Sequence, residues 1–237
     1  MLVARNLAAA AALAAGLCVA ASVSAASDPG RIDAYVTPYF NSTGPVVRVG
    51  PYSSGLASKN QATVVATILR MKQQWSRLDF LELYVAAIRL YDLGYRDEAT
   101  YWFYTAQYKG RQFALLADPK RLGSIGDRGF ELYHAQDAFL QLVGPSINGY
   151  AFGDVDALVR TIRKVQSENH AIQDLAAIYP GVAFIPKAQW QRANDKLNAG
   201  LGELAASLVS SKADIARERA QNGTQARFAR LTSRPFP

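Results

Sequence analysis

From Ser58 onward, apolar residues recur at helical spacing between a small number of glycine and proline breaks. That periodicity limits the fold more than any other feature, because a stripe repeating every three to four residues buries one face of a helix and suits no strand. Val64, Val65, Ile68, Leu69 and Trp75 mark a first helix, and Leu78, Leu81, Val85, Ile88 and Leu90 a second. Gly94 supplies a turn before a third helix from about Asp97 to Gln112. After breaks at Pro119 and Gly123, Ser124-Ile125-Gly126-Asp127 has the spacing of a capping box. It predicts a fourth helix ending near Gly144-Pro145. Asp154 is placed to cap a fifth, carrying Val155, Leu158, Ile162 and Val165 and continuing or bending through Ile172 and Leu175 to Ile178. Tyr179-Pro180-Gly181 ends it, and Pro186 suits the opening turn of a last long helix. There Trp190, Leu197, Leu201, Leu204 and Leu208 form a seam of heptad type. The expected class is all-α, an irregular helical bundle over residues 57–222.

The ends read differently. Met1 to Ala25 has a positive Arg5, an apolar alanine-rich stretch and Val23-Ser24-Ala25, the pattern of a cleaved secretory leader. Residues 26–56 hold Pro29, Pro38, Pro45 and Pro51 among aromatic and β-branched residues, which predicts an extended arm with a short strand at Val46 to Val49. Residues 223–237 read as a loose basic tail, since from Arg219 onward no acidic residue occurs. The whole sequence of 237 residues fits one domain with appendages. Its only cysteine, Cys18, lies in the leader, so a disulfide framework, a cysteine nucleophile and a cysteine-rich zinc module are excluded for an exported form. The formal charge of +7 falls by one when Arg5 leaves with the leader.

Leu83, Ala86, Ala87, Leu90, Gly94, Ala99, Phe103 and Ala106 stand at offsets that resemble a single tetratricopeptide or Sel1-like hairpin. Small Ala87 and Ala99 would let two helices approach, Gly94 would turn the chain, and Phe103 would fill the groove. No second copy follows, and a solenoid needs at least ~3 stacked units. The resemblance therefore implies one hairpin, of residues 83–106, inside a larger bundle.

Tyr101-Trp102-Phe103-Tyr104 sets aromatics around the whole third helix, so more than one of its sides must be covered. Tyr101, Tyr104 and Tyr108 form a stripe ending at Lys109 and Arg111. It has two readings, a buried second face or a binding groove for a peptide, glycan or acidic group. Signals for catalysis are sparse. His134 stands between Glu131 and Asp137, His170 near Glu168 and Asp174, and neither set has the spacing of a metal motif. Asp79, Glu82, Asp97, Glu98 and Glu131 are carboxylates that could pair only in space.

The expectation is an exported, periplasmic binding or adaptor protein of a bacterial envelope, non-catalytic and without a cofactor or metal. Its partner would be a protein or peptide, and Arg227, Arg230 and Arg234 would offer contact with an anionic surface. Nucleic acid and a membrane-spanning segment in the mature chain are not expected. The rival is a periplasmic hydrolase acting on envelope material, and a third reading is oligomerisation through the leucine seam.

Overall fold

The computed structural model of the protein describes residues 29–32 and 49–237. The leader and most of the arm, including Val46 to Arg48 of the expected strand, lie outside the described residues. Those described form an all-α bundle without a strand, apart from one isolated bridge between Ala117 and Phe184. In chain order the helices are α1 (Ser53–Leu56), α2 (Gln61–Gln73), α3 (Phe80–Asp92), α4 (Arg96–Leu116), α5 (Arg128–Ala151), α6 (Val155–Glu168), α7 (Leu175–Ile178), α8 (Trp190–Ser210), α9 (Lys212–Gln221) and α10 (Thr224–Phe228). No helix among them is long and apolar enough to cross a membrane.

α4 is the centre of the bundle, packed against α3, α5, α6 and α8. This is why its aromatics need cover on several sides: Trp102, Phe103, Tyr104 and Tyr108 are all buried, Trp102 against Trp75, Phe103 against Tyr84, Tyr104 beneath α5 and Tyr108 toward α8. α3 and α4 form the most extensive helix pair. α3 begins with a reciprocal capping box, in which Asp79 accepts from the Glu82 amide at 2.8 Å and Glu82 from the Asp79 amide at 2.9 Å. It ends in a Schellman motif. The Tyr95 amide donates to the Leu90 carbonyl at 2.9 Å and the Gly94 amide to that of Tyr91 at 3.0 Å. Gly94 closes this motif at φ +83°, a left-handed conformation that side chains disfavour by about 1–2 kcal/mol. Gly94→Ala should therefore lower stability by that amount, a fall of about 4 °C in the thermal midpoint by circular dichroism.

Several sequence expectations shift. α5 does not stop at Gly144-Pro145 but runs on to Ala151. Phe139, Val143, Ile147 and Ala151, four residues apart, keep its buried face continuous. Pro145 and Gln141, whose carbonyl loses its helical partner, both lie on the exposed side, where that group is open to solvent. Ser124 is not the cap of α5. Its amide donates at 2.8 Å to the carboxylate of Asp127, the residue that precedes the helix. The fifth helix ends at Glu168, and Leu175–Ile178 is a separate turn of helix capped by Asp174. The seam on α8 is internal, against α6, which leaves it unavailable for self-association in this fold.

The C-terminal tail is not loose. Phe228 is buried with its ring directly over Gly149, and the last residues lie across the turn between α3 and α4. Of the arm, Ile32 is buried and its amide donates to Asp92 at 2.9 Å, while Val49 is buried ahead of α1.

Candidate functional site

The four residues of the tyrosine stripe do not share one surface. Tyr104 is buried and its hydroxyl meets the Asn148 amide oxygen at 3.0 Å, beneath α5. Tyr108 is buried toward α8 and donates to Asn194 at 2.7 Å. Asn194 is wholly enclosed, and all four of its polar valences are filled: Tyr108 and Gln112 donate to its oxygen, and its amide donates to the Asn169 and His170 carbonyls. Arg111 is half-buried, and burial lowers its pKa against the opposing influence of Tyr84 and Asp137. A groove open along Tyr104 and Tyr108 is therefore absent, because α5 and α8 fill it.

Of the three tyrosines, only Tyr101 reaches the edge. Its ring stacks on Trp75 at 5.4 Å, nearly parallel at 9°. Lys164 lies 3.9 Å above the ring centre, and the Tyr101 hydroxyl donates to the Glu168 carboxylate. Next to this corner, Glu98 accepts from the Trp102 indole at 2.8 Å and pairs with Lys72 at 2.7 Å. The result is a half-exposed aromatic pair rimmed by charges of both signs.

A second concentration of chemistry lies inside. Lys109 is only 4% exposed, and its ammonium donates to the Leu78 carbonyl at 3.2 Å, the Gln173 amide oxygen at 3.1 Å and the Trp75 carbonyl at 3.4 Å. Burial pushes its pKa down to about 8, against the attraction of Asp79 and Glu82. Glu82 is pushed up to about 7, by burial first and by the Asp79 charge second. Burial likewise raises Asp79. The Tyr179 hydroxyl accepts from the Phe80 amide at 3.3 Å and closes this side. Perturbed carboxylates of this kind mark many catalytic sites. Here they serve as the two halves of a helix cap, and Lys109 holds the chain that leads into it.

The remaining candidates are dispersed. His134 is exposed on α5, its ring tilted at 55° against Phe130 with centres 4.4 Å apart, and His170 is exposed beyond the end of α6. Asp97 accepts from Tyr150 at 2.6 Å, and Glu131 accepts from the Gly126 amide at 2.9 Å. Among the described residues no group of histidines and acids is arranged to hold a metal ion.

No family model, curated protein or solved structure matches this chain. Its function has to be argued from its own residues. Sequence reasoning brought out Tyr101 but missed Lys109 as an interior charge, since a lysine beside Arg111 reads as the polar end of a stripe. It also missed the polar junction at Asn194. The signal was there: Trp190, Asn194, Asn198 and Leu201 continue one line along α8.

Proposed function

We propose that this chain is an exported, periplasmic helical binding or adaptor protein of a bacterial envelope, with no catalysis of its own. The observation that carries the reading is the corner at Trp75, Tyr101, Lys164 and Glu168. There a rigid aromatic pair lies at the surface within a charged rim, the composition that protein-binding hot spots favour. The leader-like first 25 residues support export. The interior acids and base support the absence of catalysis, because Asp79, Glu82 and Lys109 are committed to a helix cap and to loop carbonyls. Arg227 and Arg230, exposed near the C-terminus, remain suited to an anionic surface, whereas Arg234 is engaged within the fold.

Lys164→Glu and Tyr101→Ala test this reading. Each should leave the helical signal intact and reduce capture of the envelope partner about tenfold, a loss of ~1.4 kcal/mol, in quantitative pull-downs against the wild-type chain. Undiminished capture by both variants would reject the corner as the binding surface. The hydrolase reading has one observation in its favour, the Glu82 carboxyl with its pKa near 7. It requires that group to reach substrate, yet Glu82 is buried and its oxygen lies against Gly50.

A further inference from the structure

The turn between α3 and α4 is occupied by the end of the chain itself. Residues 231–237 have no regular secondary structure and run across this turn. Tyr95, the residue before α4, offers no side-chain cap to the helix. The tail supplies one: the Asp97 amide donates to the Ser233 hydroxyl at 2.9 Å. The Arg96 guanidinium holds the Thr232 carbonyl at 2.6 Å. The Arg234 amide donates to the Gly94 carbonyl at 2.8 Å. Its guanidinium lies 4.9 Å from the Tyr95 ring centre and donates to the Leu93 carbonyl at 3.3 Å. With its amide turned to suit its neighbours, Gln61 accepts from the same guanidinium at 3.1 Å. Phe236 meets Tyr95 edge-on at 5.2 Å, with the Lys72 ammonium 4.6 Å from its own ring centre.

Two properties set this contact apart from ordinary core packing. Each anchor reads a separate chemical group of a short linear segment: a hydroxyl, a guanidinium and, two residues on, an aromatic ring. The segment is also lightly held, since Arg234 and Pro235 are exposed and Phe236 is only half-buried. Gly94 belongs to the same reader through its carbonyl, which accepts from the Arg234 amide.

We propose that the Gly94–Tyr95 turn is a peptide-binding site for an extended Ser-Arg-Pro-aromatic segment of a partner protein, held by the chain's own tail until that segment displaces it. The proposal rests on the binding reading above and names a second surface and a class of partner for it. Attachment gives the tail an effective concentration on the order of millimolar, so a free peptide competes poorly until the tail is weakened.

The test is a fluorescence-anisotropy titration with a labelled peptide of residues 230–237. The full chain carrying Arg234→Ala and Phe236→Ala should bind it at least about tenfold more tightly than the wild type. A peptide with the same two changes should not bind. A doubly substituted chain that keeps its helical signal but binds no peptide overturns the proposal. If those substitutions unfold the chain, a dye at Pro237→Cys in a Cys18→Ser background gives the answer in the otherwise wild-type protein. Unlabelled peptide should then lower the dye anisotropy as the tail is released, and no fall up to millimolar peptide overturns the proposal. Wild-type dimers that form with rising concentration and dissolve on adding peptide would identify a second copy as the occupant, and overturn it too. Failure here with Lys164→Glu still losing its partner rejects the site at the turn alone. Peptide binding with Lys164→Glu unaffected instead moves the binding function to the turn.

Discussion

Lys109→Met should lower the unfolding free energy by about 3–5 kcal/mol, the scale expected when one member of a buried charged cluster is removed and its partners remain. Lys109 lies in the wall between α4 and the segment leading into α3, and it satisfies the Leu78 and Trp75 carbonyls and Gln173 together. Methionine fills the volume but donates nothing, so the Leu78 carbonyl and the Gln173 amide oxygen lose their partner, at ~1–3 kcal/mol for each one left dry, while the Trp75 carbonyl keeps the Leu78 amide at 3.4 Å. Asp79 and Glu82 also lose the nearby positive charge. Urea melts of Lys109→Met, Glu82→Gln and the double variant separate the two contributions. The double variant should be less destabilised than the sum of the singles, because the second change removes a carboxylate that the first leaves exposed to an uncompensated field.

The same cluster predicts how stability follows pH. Glu82 titrates at about 7 in the folded chain and at its ordinary 4.5 when unfolded, so its contribution is fully present in acid and is lost as pH rises through about 7. Lys109 titrates at about 8 when folded against an ordinary 10.5, so its contribution is present in alkali and is lost as pH falls through about 8. Asp79, raised by burial, acts in the same sense as Glu82; Arg128 opposes both. The cluster is therefore least favourable between about pH 7 and 8. Measured against Glu82→Gln, the wild-type chain should gain ~2 kcal/mol in relative stability between pH 7 and 5.

The helices were legible where a local rule decides them. Asp154 caps α6, Gly94 turns α3 into α4, and the α8 seam is buried except for the half-buried Leu197, each written in local spacing. The aromatic run of α4 correctly required cover on several sides. Errors arose where a distant element decides. Proline at 145 breaks an isolated helix, but the buried line from Phe139 to Ala151 carries α5 past it. The basic tail reads as solvated until Tyr95 is known to lie beneath Arg234 and Phe236. A tyrosine at helical spacing looks the same whether its neighbour is water or α8, and of the three tyrosines of the stripe only Tyr101 remains at the surface.

Tyr108 and Asn194 provide the second large effect. Asn194→Leu should cost about 3–5 kcal/mol, although leucine has a similar size and the site is dry. The asparagine takes two donors from α4 and gives two to the chain leaving α6, so a single side chain joins three segments. Leucine strands the Gln112 amide, the Asn169 carbonyl and the Tyr108 hydroxyl, whose pKa burial already pushes up to about 12, while the His170 carbonyl keeps Gln191 at 2.9 Å. Tyr108→Phe removes only one donor and leaves Asn194 bonded to Gln112, so it should cost about 1 kcal/mol. In the double variant the Tyr108 hydroxyl is no longer there to be orphaned, and the two costs should fall short of additivity by ~1 kcal/mol or more in chemical denaturation. Full additivity would mean that the hydroxyl finds another partner once Asn194 is gone. The nearby Asn169 carbonyl, 3.4 Å from it, is the group to examine. Shortfall would instead identify Tyr108 as part of the scaffold that holds α4 against α8, and would leave Tyr101 as the residue of the stripe available to a partner.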